Sequence, residues 1–170
     1  MTSEIVIRPE RAADSSAVGE LITSAFLGMP YADGDEAGLV EALRAQNALT
    51  VSLVAELDGK ILGQVAFSPA RPAAGTADWY ALGPVSVLPT HQRTGIGSLL
   101  VREGLKAITE LGAKGCILTG NPAYYVRFGF ELAPAAAPPG EPAQFFMVKL
   151  IDGGLPDGPI HFHEAFHSAG

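Results

Sequence analysis

Apolar residues alternate with polar ones in some stretches of this chain and recur every three or four residues in others. Ile5, Val6 and Ile7 read as a first strand that ends at Arg8-Pro9. From Asp14, the residues Val18, Leu21, Ile22, Ala25 and Phe26 fall on one helical face, and Gly28-Met29-Pro30 breaks that helix. A second short helix carries Leu39, Val40 and Leu43. Two strand-like runs follow, at 51–57 and 61–67, with Asp58-Gly59-Lys60 between them. An Asp-Gly pair between apolar runs predicts a hairpin, since both residues tolerate the positive φ of a tight turn.

Residues 71–75 read as a Pro/Ala/Gly loop. A further strand is predicted over 79–88, interrupted at Gly83-Pro84, because proline cannot donate to a sheet ladder and forces a bulge or splay. Ile96, Leu99, Leu100, Ile108 and Leu111 then recur at helical spacing from Gly95, and Gly112 stands where the helix should stop. Cys116, Ile117 and Leu118 make a short buried strand. Asn121-Pro122 opens another helix, Gly129 ends it, and Phe130 starts a strand. After a Pro/Ala-rich loop at 134–142, the last strand runs over 145–151, followed by a Gly/Pro-rich stretch and a His-rich tail. The order β-α-α-β-β-β-α-β-α-β-β predicts an α+β mixed-layer fold with a partly antiparallel sheet. One domain is expected over 1–150, with 151–170 a tail packing on it.

Length and composition fit this reading, with 170 residues, 48% apolar and 17% charged. The net charge of −7 argues against nucleic acid and anionic membranes as partners. Cys116, the lone cysteine, rules out an internal disulfide and fits a reducing cytoplasm; in its apolar strand it reads as core rather than nucleophile. The first ten residues lack the basic and apolar regions of a signal peptide, and no apolar run is long enough to span a bilayer. A cytoplasmic protein is expected.

The chemistry concentrates where the 79–88 strand runs into a helix through Leu88-Pro89-Thr90-His91-Gln92-Arg93-Thr94-Gly95-Ile96-Gly97-Ser98. A helix start carries free N–H groups and the positive end of the helix dipole, and glycine lets a ligand approach the main chain closely. The segment is therefore an anion site, with His91 and Arg93 adding charge at its rim. It is not a P-loop, because Ser98-Leu99 replaces Lys-Ser/Thr after Gly97. Nor is it a dinucleotide fingerprint, because Leu100 occupies the third small position.

Gln92-Arg93-Thr94-Gly95-Ile96-Gly97 matches Q/R-x-x-G-x-G/A and resembles the coenzyme A pyrophosphate loop of the GNAT acetyltransferases. Tyr125-Val126-Arg127-Phe128-Gly129-Phe130 resembles the Tyr-x-x-x-Gly-Phe pattern of that family, and the run from Gly120 to Phe130 looks like its YhbS-like branch. These motifs span residues 82–130, and the element order extends the likeness over 4–150.

The resemblance implies a central mixed, mostly antiparallel sheet, splayed at the fourth strand and flanked by helices. It also implies an N-acetyltransferase that moves an acetyl group from acetyl-CoA, its cosubstrate, to a primary amine in a ternary complex, without a metal. Thr94, Gly95, Ile96, Gly97 and Ser98 would hold the pyrophosphate through backbone amides, with Arg93 at the rim and Gln92 adding an amide nearby. Val85 and Val87 would run beside the pantetheine, and Val87 or a neighbour would donate an N–H to the thioester carbonyl. Tyr125 would be the general acid for the leaving thiolate, since tyrosine stays protonated to about 10 and a thiol titrates near about 8.5. Tyr124 lies on another helix face and lines or packs the pocket. Asn121 is an N-cap first and a cofactor contact second.

For the acceptor side, Asp33, Asp35 and Glu36 would attract a cationic amine, with Glu36 relaying a proton through water; the plainer alternative is a solvated acidic turn. Arg127 is either a surface residue or a second phosphate contact. Trp79 and Phe67 read as core or cleft wall. His163-Glu164-Ala165-Phe166-His167 has the form H-E-x-x-H, but the chain offers no third ligand after it, so Phe162 and Phe166 read instead as an aromatic tail on the sheet. A homodimer is among the assemblies that the resemblance allows. The alternative function is a non-catalytic acyl-CoA-binding or regulatory module on the same fold.

Overall fold

The β-branched runs pair into one sheet, and the amphipathic helices cover its two faces. The computed structural model describes residues 4–26 and 36–168, with side chains described to residue 166. The expected break at Gly28-Met29-Pro30 and the acidic residues Asp33 and Asp35 lie outside the described residues.

The strands are β1 (Val6–Pro9), β2 (Val51–Leu57), β3 (Lys60–Pro72), β4 (Trp79–Val87), β5 (Gly115–Thr119), β6 (Glu131–Leu132), β7 (Phe146–Leu150) and β8 (Ile160–His161). They run in the order β1-β2-β3-β4-β5-β7-β6, with β8 added to the far end of β3. The β4–β5 pair is parallel and the others are antiparallel. Helices α1 (Ser15–Phe26) and α2 (Glu36–Ala45) bury Val18, Ile22 and Val40 against Val54 on one face. On the other face α3 (Ile96–Glu110) packs Leu100, Val101 and Ile108 around Val65 and Phe67. Gly104 makes that approach possible, because a Cβ there would lie 2.1 Å from the Phe67 ring. Trp79, Phe67 and Cys116 are core residues. Burial pushes the Cys116 thiol far above its usual range, so it supplies no thiolate.

Two expectations need correction. Arg71 and Pro72 belong to β3 rather than to a loop, because they pair with His161 and Ile160 of a strand that local pattern did not reveal. The strand expected to begin at Phe130 starts at Glu131 and has two residues.

Beyond β8, Phe162 packs edge-on to Phe146 at 6.0 Å and against Phe166 at 5.0 Å. His163 Nδ1 accepts the Ala165 N–H at 3.1 Å at the start of α5 (Ala165–Ser168). The His167 side chain lies outside the described residues. Among the described residues no three His, Cys, Asp or Glu side chains gather as metal ligands do, and no helix is long and apolar enough to cross a membrane.

Candidate active site

A bulge in β4 opens the sheet. Val85 pairs with Val65 and Leu82 with Phe67, so the single residue Ala66 faces both Gly83 and Pro84. Pairing of β4 with β5 covers Trp79, Tyr80 and Ala81 and goes no further. From residue 82 onward the β5-facing edge of β4 is unpaired, and the two parallel strands diverge.

Strand alternation decides which groups face that opening. Leu88 donates its N–H to Leu62 at 2.9 Å across the β3 edge. In an antiparallel ladder alternate residues bond to the same neighbour. Ser86 therefore turns its backbone groups to β3, and Val85 and Val87 turn theirs to the opening. The Val87 carbonyl confirms the direction, because it accepts a hydrogen bond from Gln92 Nε2 at 3.0 Å. Gln92 thus acts through its side chain, tying the loop to the end of β4.

Gln64 holds the bulge from within. It is fully buried and donates Nε2 to the Pro84 carbonyl at 3.1 Å and to Ser86 Oγ at 3.0 Å. That carbonyl is one the irregular ladder would otherwise leave unpaired. The visible signal in the sequence was a lone polar residue inside an apolar strand, and its role escaped the sequence reading.

Below the opening, the loop enters α3 through two left-handed residues, Arg93 at φ 64° and Gly95 at φ 90°. Thr94 Oγ1 donates to the His91 carbonyl, and the Ile96 side chain is buried in the core, so both residues anchor the loop. Leu99 N–H makes a helical bond to the Gly95 carbonyl at 3.0 Å. The amides of Ile96, Gly97 and Ser98 before it have no helical acceptor.

A cleft of about 510 Å³ sits over these amides, lined by Val85, Val87, His91, Gln92, Arg93, Gly95, Gly97, Ser98, Tyr124 and Arg127. Among the described residues no carboxylate lines it, although the chain as a whole carries −7. Arg127, left open by the sequence, stands in this wall with its guanidinium 4.6 Å from the centre of the Tyr124 ring.

A second cavity of about 840 Å³ adjoins the first and shares Val85 and Tyr124 with it. Its described walls include Phe26, Glu36, Pro84, Leu118, Asn121, Tyr125 and Phe145. Asn121 caps α4 (Pro122–Tyr125) by accepting the Ala123 N–H at 3.0 Å, and it lies in this second cavity rather than over the loop. Glu36, the first residue of α2, is another of its lining residues.

The two tyrosines differ. Tyr124 Oη lies 3.2 Å from Ser98 Oγ, so it joins α4 to the start of α3 and touches both cavities. Tyr125 borders the second cavity, packed edge-on to Phe130 at 6.1 Å. Gly120 makes room for it, since a Cβ there would come within 2.7 Å of the Tyr125 ring. Burial, with a smaller effect from Tyr124, pushes the Tyr125 hydroxyl up to about 12. It stays protonated over the whole working range of pH.

The mixed sheet thus opens between its two parallel strands, above a helix start with three open amides. The chain belongs to the acetyltransferase (GNAT) family, which matches residues 19–130. It is 34% identical to the uncharacterized N-acetyltransferase YhbS of Escherichia coli K12, over 96% of this chain and 99% of that protein. A GNAT family acetyltransferase from Brucella melitensis, solved with acetyl-CoA, is similar at TM-score 0.86 and 42% identity, over 96% of this chain and 98% of the other. The structure of YhbS from Escherichia coli in complex with CoA gives TM-score 0.88 and 32% identity, over 100% of this chain and 96% of the other.

Proposed function

We propose that this protein transfers an acetyl group from acetyl-CoA to a primary amine by direct attack. One observation carries the reading: a cleft over three open helix-start amides, with Arg93 and Arg127 in its wall, meets a second cavity at Val85 and Tyr124. A donor and an acceptor can then reach the same point from opposite sides. The two similar structures solved with acetyl-CoA and with CoA support the donor.

The amides of Ile96, Gly97 and Ser98, with Arg93 and Arg127, would hold the pyrophosphate. Val85 and Val87 present backbone groups along the opening, where they would pair with the pantetheine arm. Of their two N–H groups, that of Val85 stands where the cavities meet, and it is the better placed to stabilise the oxyanion that develops on the acyl carbonyl. Asn121, already engaged as a cap, would shape the acceptor side.

Bound acetyl-CoA supplies an activated acyl carbon. The products are the N-acetyl amine and the free thiol, with one proton passing from nitrogen to sulfur. Tyr125 would donate to the departing sulfur. A hydroxyl near 12 is a weak source of a free proton for a thiolate near about 8.5, so its donation must be matched by a proton arriving from the amine side. Glu36, which lines the same cavity, would accept the amine's proton through water.

A module that only holds acyl-CoA has no use for a second cavity at the acyl end. The test is thiol release from acetyl-CoA over an amine panel, beside calorimetric binding of acetyl-CoA. Saturable amine-dependent release supports the transferase; tight binding with no release on any amine overturns it in favour of the module. The protein is expected to act in the cytoplasm, with residues 1–150 forming the catalytic domain and 151–170 a tail packed on it; a 1–150 fragment with the full-length Tm would contradict that packing.

A further inference from the structure

Resting on the transferase reading, we infer that Tyr124 is a cofactor-positioning residue: its hydroxyl belongs to the phosphate seat, and through it the bound phosphates steady Tyr125 at the acyl end. Tyr124 lines both cavities, and its hydroxyl stands over the first turn of α3. Two contacts place it there. Tyr124 Oη lies 3.2 Å from Ser98 Oγ, and a Cβ on Gly97 would lie 3.4 Å from the same oxygen. Gly97 and Ser98 carry two of the three open amides, so an anion held by those amides comes within reach of this hydroxyl.

Hydroxyl chemistry gives the contact a use. A tyrosine and a serine carry two hydroxyl protons between them, and their mutual hydrogen bond occupies one. The other is left for an acceptor in the cleft, and a phosphate oxygen is the acceptor that the open amides would bring there. Packing alone would be served by phenylalanine, since the ring already stands edge-on to Tyr125 at 4.9 Å and to Phe128 at 5.4 Å. The face of the ring carries the Arg127 guanidinium, 4.6 Å from its centre, in the wall of the same cleft. Tyr124 thus supplies one donor and supports one cation at the cofactor side.

The link to the acyl end is the shortness of α4. Tyr124 and Tyr125 are neighbours in a single turn, and both donate their backbone N–H to the Asn121 carbonyl at 3.1 Å. Tyr125 borders the second cavity and is not in the wall of the first. One turn therefore sends one tyrosine to the phosphate cleft and the next to the acceptor cavity, and an anion that draws on Tyr124 steadies both.

The experiment compares two acyl donors, acetyl-CoA and S-acetylpantetheine, which carries the same thioester arm and no phosphate. Thiol release is followed with an amine that the wild type acetylates. Tyr124→Phe keeps the ring under Arg127 and removes the hydroxyl. The expected result is a kcat/KM for acetyl-CoA at least tenfold lower, with kcat at saturation at least threefold lower, while kcat/KM for S-acetylpantetheine stays within twofold and the Tm of the free protein is unchanged. Equal losses on the two donors overturn the inference, since they mark a role in packing or at the acyl carbon alone. An unchanged kcat with acetyl-CoA overturns it as well. Calorimetric titration with CoA needs no turnover: Kd should weaken at least fivefold in Tyr124→Phe, and a Kd within twofold of wild type removes the hydroxyl from the phosphate seat. Thiol release with no amine, CoA being bound, refutes the transferase reading and the link to Tyr125 with it, while the Kd still decides the seat.

Discussion

Replacing Gly97 with alanine separates folding from cofactor binding, because the two should move in opposite directions. Gly97 is in the first turn of α3 with ordinary helical φ, so alanine meets no backbone strain. A Cβ there would lie 3.4 Å from Tyr124 Oη and 3.7 Å from Val87 Cγ2, both ordinary contacts. Alanine in place of glycine in a helix is worth up to about 1 kcal/mol, which for a chain of this size raises Tm by about 2–4 °C.

The same methyl projects from a residue of the cleft wall, where the phosphates would have to touch the main chain. Moving an anion back from three amides weakens charge-assisted hydrogen bonds, each contributing about 1.5–3 kcal/mol. Losing even one such bond is a tenfold loss of affinity, about 1.4 kcal/mol. Thermal unfolding of the free protein and calorimetric titration with acetyl-CoA read the two effects separately. The expected result is an unchanged or higher Tm with Kd at least tenfold weaker. Wild-type Kd in Gly97→Ala would refute the assignment of this loop to the cofactor. Gly95→Ala provides the contrast: nothing lies within 4 Å of its added Cβ, but φ is +90°, so the variant should lose about 1–2 kcal/mol of stability through strain.

Tyr125→Phe should lower kcat at least a hundredfold and leave the Kd for acetyl-CoA within twofold; a kcat near wild type would remove Tyr125 from the chemistry. Since the Tyr125 hydroxyl is raised to about 12, the enzyme should not lose kcat between pH 8 and pH 10, where an ordinary tyrosine would begin to ionise, and a falling limb in that window would contradict its assignment. Glu36→Gln should raise the amine KM about tenfold without altering the Kd for acetyl-CoA, and unchanged amine kinetics would return Glu36 to the status of a surface acid. Gln64→Leu leaves the Pro84 carbonyl and Ser86 Oγ without their buried donor, at about 1–3 kcal/mol. It should lower Tm and reduce kcat more than it changes the KM for acetyl-CoA; equal loss in both, or in neither, would deny Gln64 its role in positioning the bulge.

The loop was legible because its chemistry is local. An anion site made of backbone amides needs a strand end, a helix start and glycine, and all of these lie within Val85 to Ser98. The Gly83-Pro84 interruption likewise announced the bulge, since proline cannot serve the ladder whatever surrounds it. Features built across the chain were hidden. Strand β8 has two residues and finds Arg71 and Pro72 far upstream, with no periodicity long enough to show it. Gln64 looks like a blemish in an apolar strand until the Pro84 carbonyl is seen above it. Adjacent Tyr124 and Tyr125 part company through the geometry of one short helical turn, and Tyr124 finds Ser98 from the neighbouring helix. The second cavity draws on α1, α2, β4, β5, α4 and the approach to β7, so no single motif could have disclosed it.

A crystal structure of the protein with bound acetyl-CoA would show whether the loop and the two cavities hold the cofactor as assigned. The pyrophosphate should lie on the amides of Ile96, Gly97 and Ser98, and the acyl sulfur at the meeting of the two cavities beside Val85 and within reach of Tyr125. A cofactor seated elsewhere, or one whose sulfur points away from the larger cavity, would contradict that assignment.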